Sequence, residues 1–256
     1  MKHFAFALCL LLLLSALAAE SPFAQEYANA VTRAAKHALI QSYLMQPLSL
    51  DEARAVQSAW YSLEPLAMQA YYDSLAAANP QNMGYQYLSL RFLKAADTLP
   101  RLRRLLSQAP DSYWNTRLYA LNLCECYSEG KQQLLFAAED EMLLKAALQY
   151  FPSDAYLQIA MFYLFVAEGK SSLAGSYLAE IDNPAVLAAN WQAIERFLLS
   201  EKNLDLFDAL SETLWLDELN SGNISPEEYY DLQELAHEEF IRKLAQHEEQ
   251  DPGAQK

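Results

Sequence analysis

The segment Ala155–Ala167 reads AYLQIAMFYLFVA, 13 residues in which Gln158 alone is strongly polar. A helix that is apolar on every face has to be covered on every side. The run is also shorter than the ~20 residues a helix needs to cross a bilayer. It therefore predicts a central helix gripped by neighbours. Downstream, Glu168-Gly169-Lys170 is a break, and SSLAGSYLAEIDNP forms a shorter amphipathic helix that closes on a turn at Asn183-Pro184. Together they read as one helix-turn-helix unit.

Working outward, the composition favours helices throughout. The chain is 53% hydrophobic, has 6 Gly in 256 residues, and is rich in Ala and Leu, the strong helix formers. Prolines and caps divide it. Upstream of the central run, helices are expected over Phe23–Leu44, Leu50–Ser62, Pro65–Ala78, Asn82–Asp97, Pro100–Gln108, Ser112–Ser128 and Lys131–Tyr150. Beyond it they are expected over Pro184–Ser200, Leu204–Leu219 and from Ser225 to His247. Ser49-Leu50-Asp51-Glu52 and Ser225-Pro226-Glu227-Glu228 are capping boxes, in which Ser and Glu satisfy each other's backbone N–H groups. The last helix carries an apolar stripe of Tyr229, Leu232, Leu235, Phe240 and Leu244 on a charged background. One dry face and one wet face suit the cap of a helical stack.

The prolines at 80, 110, 152 and 184 lie 30, 42 and 32 residues apart. With this spacing the chain resembles tetratricopeptide repeats, whose period is ~34 residues. The best-fitting unit is Ala155–Pro184, with Met161, Phe162 and Phe165 at the family's packing positions, Gly169 at the interhelix glycine and Ala174 at the small residue of the second helix. Phe162 departs from the small residue preferred at its place. Tyr119, Ala120 and Leu123 follow the same spacing after Pro110, and Trp191, Ile194 and Leu198 follow it in the last pair with no glycine break. The resemblance spans Met83–Leu219 and implies an all-α, right-handed helix-pair solenoid over residues 20–249, with residues 250–256 as a polar tail. It also implies a concave groove lined by first helices, at Tyr87 and Arg91, at Trp114, Arg117 and Leu121, and at Tyr156, Ile159 and Tyr163. For Ile159 and Tyr163 a place in the core is an equal expectation.

Residues 1–19 read as a secretory signal peptide, with Lys2, the apolar run Phe4–Leu14 and small residues at Ser15–Ala19 for cleavage. The expectation is a periplasmic or secreted protein with no membrane insertion after cleavage. Loss of Lys2 with that segment leaves 17 Lys and Arg against 33 Asp and Glu. Such a balance disfavours nucleic acid and anionic membranes as partners. Cys124 and Cys126 flank Glu125, and on a helix residues two apart point away from each other, so no local bridge is expected.

Chemistry-bearing motifs are sparse. No HExxH, phosphate loop, GxSxG or EF-hand pattern occurs. Glu234-Leu235-Ala236-His237 has the Glu-x-x-His spacing of di-metal bundles but no second copy, and reads as a solvated face. Acid pairs such as Glu139-Asp140-Glu141 read as exposed helix ends. The 16 Tyr are more telling, because Tyr and Arg concentrate at interaction hot spots. The expected function is a non-catalytic scaffold or adaptor, without cofactor or metal, that binds a protein or extended peptide. An all-α polysaccharide-active enzyme and a structural assembly subunit of the cell envelope are the alternatives. The enzyme would need His37 or His237 in a cleft with a Tyr and a carboxylate.

Overall fold

Helix caps and covered apolar faces build a fold of helices alone. The computed structural model describes residues 22–128 and 137–250, and among them are 13 helices and no strand. The protein divides into two compact units, one through Leu93 and one from Lys94. The signal-like segment 1–19, the Glu129-Gly130 break, residues 131–136 of the expected 131–150 helix and residues 251–256 lie outside the described residues.

The first unit holds α1 (Pro22–Asn29), α2 (Arg33–Leu44), α3 (Leu50–Leu63), α4 (Pro65–Ala78) and α5 (Met83–Leu90). The expected 23–44 helix is thus two. Thr32 interrupts it, its Oγ1 accepting from the Ala35 N–H, because a short hydroxyl group competes well for backbone donors at a helix start. The capping box at Ser49 and Glu52 forms in full. Ser49→Ala is expected to lower the stability of this unit by roughly 1 kcal/mol in thermal unfolding; an unchanged midpoint would contradict that assignment. Phe23, Ile40, Val56, Met68, Tyr72 and Leu90 form the core.

The second unit holds α6 (Ala95–Leu106), α7 (Tyr113–Ser128), α8 (Asp140–Tyr150), α9 (Ala155–Ala167), α10 (Ser171–Ala179), α11 (Pro184–Glu201), α12 (Leu204–Asn220) and α13 (Pro226–Gln250). Here the expectation for residues 82–108 is corrected. The backbone leaves the helix after Leu90, and α6 begins at Ala95 and runs through Pro100. An interior proline deletes one backbone bond and costs ~3 kcal/mol. Pro100 is exposed while Leu99, Leu102 and Leu106 are buried, so packing on the opposite face outweighs the loss.

The central helix has the expected limits. Asp154 caps it, accepting from the N–H groups of Tyr156 and Leu157, and all its residues from Leu157 to Phe165 are buried. It packs against α7, α8, α10 and α11. Gly169 ends it in the left-handed conformation (φ 69°), where the Lys170 N–H returns to the Phe165 carbonyl. At the end of α11, where no glycine stands, Lys202 takes the same conformation (φ 53°). Neighbours in sequence pack together (α6 on α7, α11 on α12, α12 on α13), and so do α7 on α9, α9 on α11 and α11 on α13. In α13, Phe240 stacks on Phe207 at 4.0 Å and Tyr229 is buried, whereas Leu235 is 61% exposed. Five residues from Phe240, Leu235 lies about 140° round the helix and cannot share its face.

Candidate functional site

Of the eight groove residues expected from the sequence, three meet in one place. The Arg117 guanidinium lies over the Tyr156 ring at 4.1 Å, with the Tyr113 and Trp114 rings each at 6.0 Å. It donates to the Tyr113 hydroxyl at 2.8 Å. Phe151 backs Tyr113 edge-on at 5.3 Å. Arg117, Tyr113, Trp114 and Tyr156 are all half-buried.

Local sequence explains the arrangement. Tyr113 and Trp114 precede Arg117 by four and three residues on α7, so all three share one helical face. Tyr156 is fixed by the Asp154 cap at the start of α9. Burial pulls the guanidinium's pKa down, but the Tyr156 and Tyr113 oxygens more than offset it, so Arg117 stays charged. In a protein with 33 Asp and Glu, no carboxylate among the described residues pairs with it. A half-buried, π-backed guanidinium without a carboxylate partner has the chemistry to receive a planar anion.

The other expected residues lie elsewhere. Tyr87 and Arg91 belong to the first unit. Tyr87 is buried, and its hydroxyl accepts from Arg54 Nε at 3.1 Å. Arg91 is half-buried, donates to the Arg54 carbonyl at 3.0 Å and lies over Phe92 at 4.9 Å, and burial pulls its pKa down. Tyr163 is in the core and donates to Asn190 Oδ1 at 2.8 Å; Ile159 is buried as well. Leu121 is 41% exposed.

Two further clusters join residues that no motif in the sequence connects. Asp140, expected as an exposed acid, is fully buried. Its carboxylate accepts from Arg103 Nε at 2.7 Å and Nη2 at 2.9 Å, from the Ala137 N–H at 2.7 Å and from the Tyr119 hydroxyl. Burial raises the Tyr119 phenol's pKa, and the carboxylate raises it further. Glu139 and Glu141 remain near the surface because only the position between them points inward. Second, His237 Nδ1 meets both Asp208 oxygens at 3.0 and 2.9 Å in a crevice between α12 and α13. Both side chains are 41% exposed, which leaves this pair solvated rather than held in a dry acid–base site. Tyr229 is buried outside the crevice lining, and its hydroxyl accepts from Gln233.

Cys124 and Cys126 form no disulfide, and burial pushes the Cys124 thiol's pKa up, away from the reactive thiolate. No cluster of three or more His, Cys, Asp or Glu side chains among the described residues is arranged to hold a metal ion. No described helix is long and apolar enough to cross a membrane. No protein-family model, no curated protein and no solved structure matches the sequence.

Proposed function

We propose that the protein is an exported, non-catalytic scaffold of tetratricopeptide-like helix pairs that binds a protein or extended peptide, with Arg117 as the anchor of its recognition site. The observation that carries this reading is the Arg117 guanidinium, held among Tyr113, Trp114 and Tyr156 without an acidic partner among the described residues. The order of packing in the second unit supports the helix-pair part, since α7, α9 and α11 follow one another as first helices do in repeat arrays.

The protein's overall charge narrows the ligand. A net charge of −15 repels acidic stretches, with a range of ~8 Å at physiological salt. The partner therefore offers a single carboxylate, such as a free C-terminus or an isolated Asp or Glu, with neutral or basic residues beside it. Bidentate pairing supplies direction, and the rings supply apolar contact. Crosslinking in the native envelope followed by mass spectrometry tests the proposal. A specific interactor is expected with the wild type and is lost with Arg117→Glu and with the milder Arg117→Gln. Equal capture by all three would refute the assignment.

A further inference from the structure

The crevice between α12 and α13 lies apart from the Arg117 site and has its own chemistry. It encloses about 440 Å³ and is lined by Asp208, Ser211, Glu212, Gln233, Glu234 and His237, with Ala209. Three of these are carboxylates. Asp208 is engaged by His237, while Glu212 and Glu234 stand exposed without a cationic partner among the described residues. Ser211 is 5% exposed, yet its Oγ has no hydrogen-bond partner. Burying a hydroxyl without a partner costs on the order of 1–3 kcal/mol, so an unsatisfied one lining a polar crevice marks a place for a ligand donor.

From these observations we infer that the α12–α13 crevice is a binding site for an alkylammonium group. Carboxylates, a hydroxyl and a carboxamide oxygen present acceptors, which selects a compact cation rich in N–H donors. A metal ion is disfavoured, since the carboxylates and the imidazole do not converge into a ligand cluster. The ammonium carries three N–H groups, enough for Glu212, Glu234 and the Ser211 hydroxyl. The crevice volume falls within the ~300–1,000 Å³ range of small-molecule sites, so it has room for the alkyl part as well. Either a free polyamine or the lysine side chain of a partner supplies this chemistry.

The test uses the ring resonances of His237 in the protein from residue 20 onward, at low salt, with His237→Gln to assign them. The probes are spermidine and an N-acetylated, C-amidated tripeptide Ala-Lys-Ala. A saturable shift of the His237 ring is expected with at least one probe, and the tighter of the two identifies the source. The Glu212→Gln/Glu234→Gln pair is expected to weaken binding roughly tenfold or more, and Ser211→Ala about three- to tenfold. A control pair on exposed acids elsewhere, Glu180→Gln/Asp182→Asn, is expected to leave it within about twofold. No saturable shift with either probe, or equal weakening by the control pair, would overturn the site. These outcomes are independent of Arg117, so failure here leaves the peptide proposal standing.

Discussion

Replacing Asp140 by alanine is expected to destabilise the second unit by about 3–5 kcal/mol. The carboxylate is fully buried and serves four donors drawn from three parts of the sequence: Arg103 on α6, Tyr119 on α7 and the Ala137 N–H just before α8. Its removal takes from the Arg103 guanidinium, whose side chain is 13% exposed, the carboxylate that binds two of its nitrogens, and it takes from the Tyr119 hydroxyl its acceptor. Removing one partner of a buried ion pair costs far more than the pair itself contributes. Tyr119→Phe should cost much less, roughly 1 kcal/mol, because the carboxylate keeps its charged partner and the backbone N–H. Urea unfolding followed by far-UV circular dichroism distinguishes the two. Equal effects for the two variants would show that the ion pair is not what holds α6, α7 and α8 together.

Phe162→Ala should have a comparable effect, about 3–5 kcal/mol, by opening a cavity in the centre of the second unit. Phe162 is 1% exposed and meets Phe197 of α11 edge-on at 5.1 Å, so the lost ring also removes contact between α9 and α11. The contrast is Tyr150→Ala at the end of α8, where the side chain is 57% exposed and a change within about 0.5 kcal/mol is expected. The same unfolding curves measure both. A small loss for Phe162→Ala would mean that α9 is not the packing centre.

How much of the fold is legible in the sequence depends on how local the cause is. The limits of α9 are readable because both signals lie within a few residues, a capping aspartate before it and a glycine after it. The break at Thr32 and the passage of α6 through Pro100 are not. At Pro100 a local tendency competes with packing that only the folded state reveals, and at Thr32 a lone hydroxyl without a capping-box partner is a weak signal inside a helical run. Asp140 shows the limit most clearly. Nothing in Glu139-Asp140-Glu141 tells which acid turns inward, since the deciding partner, Arg103, lies 37 residues upstream.

The candidate site is partly visible in the sequence. Helical register, carried over from the repeat resemblance, picks out Trp114, Arg117 and Tyr156, and these share one cluster. The same register also picks Tyr163 and Tyr87, which are buried, because an aromatic residue at a first-helix position serves a core as well as a surface. It passes over Tyr113, although that residue stands four before Arg117, a spacing that by itself predicts contact on a helix. The Glu-x-x-His spacing places Glu234 and His237 on one face. Their crevice depends on Asp208, 29 residues from His237, and on Ser211, which no motif connects to them.

Anchoring of a peptide by Arg117 through one carboxylate is a property of binding affinity. Its most direct measurement is the dissociation constant of an array-selected peptide with a free C-terminus, titrated against the wild type and Arg117→Gln at equal thermal stability. Binding to the variant is expected to be at least roughly tenfold weaker, with a similar loss when the peptide's only carboxylate is amidated. Equal affinity of the wild type and the variant for the same peptide would contradict it.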